Sequence, residues 1–434
     1  GKADADSKVT VVVSWSNDKI QTHSDAEGRW AVKVATPAAS FDPQTITISD
    51  GESVTLENIL IGDVWVCSGQ SNMEMPVKGF GNQPVENSID YIMRGGEEAS
   101  RIRMFTVQRA RSYDKDMEDC AGGQWECASP ASVANCSATA YFFAYNLTHA
   151  VNIPIGIIAT DWGGTRVESW MPLSALKDCV TEEQFKQKQT VHDIKPSELY
   201  CAMIAPIRNF TARGFLWYQG EANLGDIDHY DKMMARMVEQ WRSDWGDEDN
   251  SMPFYYAQIA PYSYGDSQNI SYPLFVEAQV RALSEIPNCG MAGTTDIGSE
   301  NCIHPAQKFE VGQRLAALAL MQTYGQSGFE PRAPRMESYE IRDGKVTVRL
   351  LRAGLGLTPW YGEPIKGFEI AGSDRVFHKA NASISGNSVT VWSDEVKEPV
   401  AVRYAFRNYI ENNLHNMFGV PAVPFRTDDW NDVR

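Results

Sequence analysis

The feature that most constrains the fold is a set of short apolar segments, each running into a polar or glycine-rich loop. The apolar segment at 63–69 ends in Gln-Ser-Asn at 70–72, and three further segments end at 160–166, 219–223 and 296–298. Helical patterns lie between these segments, which is typical of a parallel sheet with helices on both faces. The carboxyl ends of parallel strands share one edge of a sheet, so we expect the four loops to meet there.

Alternating β patterns flank this central region on both sides. Residues 1–57 alternate apolar and polar positions, for example at 29–34, and predict a small antiparallel unit. The β pattern returns after Pro331. We therefore predict a β-sandwich-like region at 1–57, truncated at its start, a doubly wound α/β domain at 58–330 and a β-rich domain at 331–434. The two flanks either pack as one sandwich or stand separately.

Three segments of the central region have helical character. Ser137 is a candidate N-cap for a helix over 138–150, and Pro305 precedes a helix over about 306–324. Over 228–245 the apolar residues fall on one helical stripe rich in methionine and tryptophan. Such a stripe is far more often core than a ligand site, and we interpret it as core.

Charge and composition exclude several classes of partner. With 434 residues and a net charge of −17, the chain lacks the basic footprint of a nucleic-acid or anionic-membrane protein. No apolar run reaches the roughly 18 residues that span a bilayer. The sequence begins Gly-Lys-Ala-Asp, without Met or a signal peptide, and so looks trimmed at its start. We make no prediction about oligomeric state.

The eight cysteines form no C-x-x-C pair, which argues against a zinc site. Disulfides are plausible, most of all among Cys120, Cys127 and Cys136, but buried free thiols would give the same pattern.

The strand-end loops carry the groups that acyl transfer requires. Ser71 follows a strand at a sharp turn, where a nucleophilic hydroxyl is typically held. His304 follows another strand-end loop and is the best candidate for its base. Backbone N–H groups of Ser71 and of the glycine pair at 163–164, with a side-chain amide from Gln219 or Asn223, could form an oxyanion hole.

These same loops resemble those of a known family. The elements 69–73, 161–165, 217–223 and 303–305 are similar to motifs of the sialate O-acetylesterase family of SGNH hydrolases, and the likeness covers nearly the whole chain. The resemblance implies a flavodoxin-like hydrolase core flanked by β structure. It implies an enzyme that removes acetyl groups from sugar hydroxyls without a metal or other cofactor.

The resemblance also implies roles for individual residues. Ser71 would be the nucleophile and His304 the base, with oxyanion donors at Ser71, Gly163 and Gln219. The candidate substrate-binding residues are Gln70, Arg166, Glu221 and Asn223.

The sequence departs from the family at the position that orients the histidine. Many relatives carry an aspartate two or three positions before it, where this chain has Cys302 and Asn301. Asp296 could orient the imidazole, or the pair could act as a dyad held by a backbone carbonyl. Glu300 is a third choice. We interpret Cys302 as a structural thiol or a disulfide partner, for example of Cys289.

The leading functional hypothesis is a serine esterase acting on 9-O-acetylated sialic acid. Arg166 could bind the carboxylate of that substrate, or it could form a salt bridge with Glu168. An esterase of acetylated xylan or another plant glycan is the alternative with the same machinery. A carbohydrate-binding protein without catalysis is the alternative of another class. The hypothesis implies a periplasmic, extracellular or lysosomal protein on the secretory route.

Overall fold

A computed structural model of the chain describes residues 1–177, 179, 181 and 192–432. A central α/β region carries helices on both faces of its sheet, and antiparallel sheets lie before and after it. The predicted fold class is therefore confirmed.

The strands are β1 (Lys8–Val13), β2 (Lys19–His23), β3 (Ser40–Ser49), β4 (Ser53–Ile61), β5 (Asp63–Gly69), β6 (Ile102–Thr106), β7 (Trp125–Cys127), β8 (Ile155–Asp161), β9 (Gly214–Tyr218), β10 (Phe254–Ala257), β11 (Cys289–Ala292), β12 (Arg335–Arg342), β13 (Lys345–Leu351), β14 (Leu357–Thr358), β15 (Phe368–Ala371), β16 (Phe377–Lys379), β17 (Asn381–Ser385), β18 (Ser388–Trp392), β19 (Ala401–Tyr404), β20 (His415–Asn416) and β21 (Phe425–Arg426). Within the described residues, the α-helices are α1 (Ser71–Glu74), α2 (Ser88–Met93), α3 (Pro130–Asn135), α4 (Ala138–Val151), α5 (Leu173–Leu176), α6 (Tyr230–Asp244), α7 (Ser271–Glu285) and α8 (Lys308–Gln322).

The central sheet has the strand order β11-β10-β9-β5-β8-β6-β7. Its strands are parallel except β7, which pairs antiparallel with β6 at the edge. From β5 the chain builds β6 and β8 on one side, then crosses to build β9, β10 and β11 on the other. The direction in which successive strands are added to the sheet therefore reverses beside β5. Ligands of open α/β sheets bind at the carboxyl ends of strands at such a switch point.

Alternation along β5 explains how one strand serves two cores. Trp65 and Cys67 are fully buried on one face of the sheet, and Val66 is fully buried on the other. Successive strand side chains point to opposite faces, so a strand covered on both sides is apolar at consecutive positions. This arrangement buries the strand that leads to Ser71 from Trp65 to its end at Gly69.

Three of the helices that cover the two faces, α4, α6 and α8, match the sequence predictions, whereas α7 was not predicted. On one face α4 packs against α8, and Ser137 caps α4 by accepting a hydrogen bond from the Ala140 amide. On the other face α6 packs against α7, with Met233, Met237 and Trp241 buried in the core as expected. Within the described residues, no helix has the length and apolar content that a bilayer crossing requires.

The N-terminal sheet has the order β2-β1-β3-β4 and differs from the prediction at one segment. The predicted strand at 29–34 does not form, since Arg29 makes an isolated bridge with Lys2 and the residues after it join no ladder. Its apolar side chains nevertheless pack on the small β1 core. β4 extends to Ile61, beyond the predicted boundary at 57.

The C-terminal sheets, β12-β13-β18-β17 and β16-β15-β19-β21, enclose a core of their own. That core shares no buried residue with the N-terminal one, so the described flanks have separate cores. The C-terminal region is anchored to the α/β region by polar contacts. Arg426 forms an ion pair of 2.8 Å with Glu277 on α7, and the Asn408 side chain accepts a hydrogen bond from the Tyr272 amide.

All eight cysteines are free thiols, so of the two interpretations left open by the sequence, free thiols rather than disulfides are the one that the structure contains. Cys67, Cys136 and Cys201 are buried, which is the usual setting of a cysteine that acts as a small apolar residue. Cys302, a proposed partner of Cys289, instead contacts the backbone carbonyl of His304 at 3.3 Å.

We predict that Gly69→Ala destabilises the protein by about 1–3 kcal/mol, the usual cost of a strained backbone conformation. Gly69 has a φ of 145°, and a Cβ atom there would lie 2.2 Å from the Tyr218 carbonyl oxygen. Denaturant unfolding measures the loss. Gly81→Ala is the matched control, because a Cβ atom at Gly81 meets nothing within 4 Å. Equal stability of the two variants would contradict the prediction.

Candidate active site

Ser71 lies at the switch point of the central sheet, where the strand order reverses. β5 ends at Gly69, and Ser71 is the first residue of the short helix α1. The backbone N–H of a first helical residue has no acceptor within its helix and is free to bind another group. Ser71 is partly exposed, whereas Asn72 after it is fully buried. The strand and turn therefore present the hydroxyl at the carboxyl edge of the sheet, as predicted.

A hydrogen bond joins the segment that carries His304 to the turn that carries Ser71. The side-chain amide of Asn72 donates a hydrogen bond of 3.1 Å to the carbonyl of Ile303. These two residues are the immediate neighbours of the predicted nucleophile and the predicted base. The structure therefore places both candidates at one edge of the sheet, although they are far apart in sequence.

The imidazole of His304 is oriented by an amide. Its Nδ1 lies 2.6 Å from Oε1 of Gln83, and its ring meets the edge of Phe80 at a centroid distance of 5.3 Å. Burial, and then the nearby ammonium of Lys308, lower the pKa of His304 to about 4, against an opposing effect of Glu74. At neutral pH the ring is neutral and donates its Nδ1 proton to Gln83, which leaves Nε2 as a proton acceptor.

Asp296, the predicted orienting carboxylate, is engaged elsewhere. Its two oxygens accept hydrogen bonds of 2.6 and 2.7 Å from Arg314, and its Oδ2 also lies 3.4 Å from His415. Burial alone would raise the pKa of Asp296, but His415 and Arg314 outweigh it and hold the value at about 2. Asp296 thus neutralises a partly buried arginine on α8, while Gln83 contacts His304. Glu300, the third choice, is exposed.

Gly163, a predicted oxyanion donor, faces Ser71. A Cβ atom at Gly163 would lie 3.2 Å from the Cβ of Ser71, so only glycine leaves this space open. Its backbone N–H donates a 2.5 Å hydrogen bond to Oε2 of Glu74. The other oxygen of Glu74 forms a 2.6 Å ion pair with Arg109. A carboxylate therefore occupies the predicted oxyanion donor in this structure.

Gln219 and Asn223 hold the third loop together. Gln219 is fully buried, and its side-chain amide donates to the carbonyl of Thr165 at 3.0 Å and to Oδ1 of Asn223 at 2.7 Å. Both N–H bonds of the amide are therefore used within the protein. Gln70 has a similar position, since its Oε1 accepts from the backbone N–H of Gly220 at 3.2 Å. These predicted donor and binding residues shape the loop beside Ser71.

Arg166 is an ion-pair partner within the protein. Its guanidinium contacts Glu168 at 2.9 Å and also pairs with Asp226, and it donates to the carbonyl of Ala222 at 3.3 Å. The Arg166 side chain is only 22% exposed. Of the two interpretations of Arg166 from sequence, the salt bridge with Glu168 is the one that the structure contains.

Glu221 belongs to a buried polar network that includes two residues the sequence analysis missed. The side-chain nitrogen of Asn72 donates a 2.6 Å hydrogen bond to Oε1 of Glu221. The side-chain oxygen of Asn72, Oδ1, accepts a 2.6 Å hydrogen bond from Nζ of Lys308. Lys308 is fully buried. For Asn72, the only signal in the sequence was its position directly after the predicted nucleophile. Nothing local marks Lys308, because a lysine near a helix start is normally exposed.

Gln83 and Glu74 were also missed. Glu74 lies one helical turn after Ser71, which places it on the same side of α1. Gln83 lies in an irregular loop, where no periodicity indicates which way a side chain points. Within the described ranges, no group of three or more His, Cys, Asp or Glu side chains could hold a metal ion.

We predict that Gln83→Glu raises the pKa of His304 from about 4 toward the ordinary 6.5, because a carboxylate favours the imidazolium. The proton resonances of the His304 ring, followed by NMR titration, measure the shift. Asp296→Asn is the control and leaves the pKa of His304 unchanged. A shift in the Asp296 variant with none in the Gln83 variant would make Asp296 the orienting group.

Comparisons with known proteins agree with this geometry. A family model described as carbohydrate esterase, sialic acid-specific acetylesterase, matches residues 61–321. The sialate O-acetylesterase of Pongo abelii is 28% identical, over 94% of this chain and 83% of its own length. The sialate O-acetylesterase of Homo sapiens is also 28% identical, over 74% of this chain and 65% of its own length.

Among solved structures, a carbohydrate acetylesterase from Xanthomonas citri matches with 32% sequence identity and a TM-score of 0.88. The match covers 99% of this chain and 95% of that protein. Sequence and structure thus agree, and the region matched by the family model contains the edge that carries Ser71 and His304. The chain belongs to the carbohydrate esterase family of sialic acid-specific acetylesterases and is a carboxylic ester hydrolase.

Proposed function

We propose that this chain removes O-acetyl groups from carbohydrates by a serine mechanism, with 9-O-acetylated sialic acid as its substrate. The proposal depends most on the hydrogen bond from the Asn72 side chain to the Ile303 carbonyl. This bond joins the Ser71 turn to the His304 segment at the switch point of the sheet. The names of the two curated relatives support sialic acid as the sugar.

The chemistry follows from the two groups. The Ser71 oxygen attacks the acetyl carbonyl carbon while Nε2 of His304 takes the hydroxyl proton. The tetrahedral intermediate collapses, and the departing sugar oxygen takes that proton from His304. A water molecule, deprotonated by His304, then attacks the acetyl-serine ester, and His304 returns that proton to the Ser71 oxygen as acetate is released. The amide of Gln83 fixes the tautomer of the imidazole in both halves of the reaction.

The oxyanion is stabilised by the backbone N–H groups of Ser71 and Gly163. The Gly163 group becomes available when the Glu74 carboxylate moves away from it. Arg109 is the partner that keeps this carboxylate paired, since it already contacts the other oxygen at 2.6 Å. Gln219 acts indirectly, because both of its N–H bonds are used to hold the loop.

A second arginine offers a partner for the carboxylate of the sugar. The guanidinium groups of Arg109 and Arg111 lie 5.5 and 5.2 Å from the ring of Trp162, directly before Gly163. Arg111 is exposed and donates to the carbonyl of His192 at 2.7 Å, and within the described residues it forms no ion pair. We assign the carboxylate to Arg111 in place of Arg166. This local positive charge favours an acidic sugar over a neutral plant glycan.

Two alternatives from the sequence analysis stay distinct. An acetylxylan or other plant-glycan esterase would use the same Ser71 and His304 and have no need of Arg111. A carbohydrate-binding protein without catalysis would not need an oriented histidine beside a serine. The proposed location, periplasmic, extracellular or lysosomal, depends on the substrate alone, since the free thiols do not indicate an oxidising compartment.

We predict that Ser71→Ala lowers kcat for acetate release from 9-O-acetylated sialic acid by about 10⁴-fold or more, as expected for a lost nucleophile. A chelator has no effect on the wild type. Activity falls as the pH drops through about 4, because the base must be the neutral form of His304. Ser68→Ala is the control, since its buried hydroxyl lacks a hydrogen-bond partner among the described residues. Full activity of the Ser71 variant would exclude the mechanism.

We predict that Arg111→Gln lowers kcat/KM for 9-O-acetylated sialic acid about fivefold, the scale of an exposed ion pair. The carboxyl methyl ester of the same substrate, which lacks the charge, is unaffected. Arg375→Gln is the matched control, because this exposed arginine lies 5.0 Å from the ring of Trp430 in the C-terminal region. Equal losses on both substrates, or faster turnover of acetylated xylan, would argue against the assignment.

A further inference from the structure

A fully buried lysine lies beside the proposed active site. Nζ of Lys308, the first residue of α8, donates a 2.6 Å hydrogen bond to Oδ1 of Asn72 and lies 5.5 Å from the centre of the Tyr218 ring. Removing an ammonium group from water is costly unless hydrogen bonds and an opposite charge compensate it. A buried lysine at this position therefore requires a reason in the surrounding structure.

The compensating charge comes from Glu221 through one amide. Asn72 accepts from Lys308 with its oxygen and donates from its nitrogen to Glu221 at 2.6 Å and to the Ile303 carbonyl at 3.1 Å. The backbone carbonyl of Asn72 also accepts a hydrogen bond from Thr139 on α4. With a cation on its oxygen and a carboxylate on its nitrogen, the amide has one favourable orientation.

That orientation sets the geometry of the proposed catalytic pair. Only the amide nitrogen can donate to the Ile303 carbonyl, so a flipped or mobile Asn72 would lose the bond that joins the Ser71 turn to the His304 segment. Lys308 is also linked to the His304 segment through the chain, because it is the first residue of the helix that follows His304. The network thus connects the nucleophile turn, the loop of Glu221 and the histidine loop at one point.

We propose that Lys308 is a positioning residue, whose buried ammonium group fixes the Asn72 amide between Glu221 and Ile303 and thereby aligns Ser71 with His304. This proposal rests on the proposed serine esterase function. It adds to the site a residue that contacts neither substrate nor the reacting atoms.

The charge of Lys308 also acts on His304. Burial, and then this ammonium, lower the pKa of the imidazole, while Glu74 on α1 opposes them. Burial lowers the pKa of Lys308 itself to about 7, against the effects of Glu221 and Cys302. Near pH 4, where His304 titrates, Lys308 is therefore charged. Removing its charge raises the pKa of His304 and moves the acid limb of the pH profile to higher pH.

The test compares Lys308→Met, the double variant Lys308→Met/Glu221→Gln, and Arg314→Met. Lys308→Met leaves Glu221 buried without its counter-charge, whereas the double variant removes both charges and recovers stability. Arg314→Met breaks a partly buried ion pair of the same helix, which Arg314 forms with Asp296 and not with a residue of the site. The measurements are Tm, kcat and KM for 4-nitrophenyl acetate, the pH profile of kcat/KM, and the pKa of His304 by NMR.

We expect kcat to fall about 10²-fold in Lys308→Met, the scale of a small misalignment of reacting groups, with a much smaller change in KM. The double variant regains Tm but not kcat. The pKa of His304 and the acid limb rise in both Lys308 variants. Arg314→Met has a lower Tm than the wild type. Its kcat stays within about threefold of the wild-type value, and its acid limb stays within roughly a few tenths of a pH unit.

Recovery of kcat together with Tm in the double variant would overturn the proposal, because the lysine would then serve stability alone. An unchanged pKa of His304 in Lys308→Met would overturn it as well. So would an equal loss of kcat in Arg314→Met. A wild type that hydrolyses no acetyl ester would refute the proposed function instead, and the NMR titration would still decide whether Lys308 acts on His304.

Discussion

The site depends on the side-chain amide of Asn72. Its nitrogen donates to Ile303 and Glu221, its oxygen accepts from Lys308, and its neighbour in the chain is Ser71. Without this amide, the turn after β5 and the loop before α8 would have no direct hydrogen bond between them in the described part of the chain. A buried amide with both ends satisfied by charged partners has little freedom, and charge-assisted hydrogen bonds are roughly twice as strong as neutral ones. In the proposed mechanism, the alignment of the site therefore depends on a residue that takes no part in the chemistry.

The electrostatics of the histidine follow from what surrounds it. A carboxylate on Nδ1 would stabilise the imidazolium, whereas the Gln83 amide fixes the tautomer and adds no negative charge. Burial and Lys308 disfavour the charged ring further. The imidazole thus stays neutral at acid pH, and in the proposed mechanism this setting gives less stabilisation to the imidazolium that forms during acyl transfer. Glu74, which accepts a hydrogen bond from the Gly163 amide and raises the pKa of His304, opposes this tendency.

Several residues that the motifs single out support the site from within the protein. Gln70, Gln219 and Arg166 lie in loops at the carboxyl edge of the sheet, as expected, yet their polar atoms bond to neighbouring loop atoms. Buried polar groups must be satisfied, and tightly turned loops leave backbone N–H and carbonyl groups that side chains complete. A motif therefore marks the place of a site more reliably than the role of each residue in it.

The sequence by itself determined the α/β class, the helices over α4, α6 and α8, and the edge of the sheet at which the Ser71 turn and the His304 segment lie. Strand alternation, helical periodicity and the shared carboxyl edge of parallel strands are local or topological rules, so they are visible without coordinates. Only the tertiary structure decided that Gln83 rather than Asp296 contacts the histidine, that segment 29–34 forms no strand, and that Lys308 is buried. Each of these depends on how loops distant in sequence pack together. Asp296 is close to His304 in the chain but forms an ion pair with Arg314, a partner that the sequence pattern does not reveal.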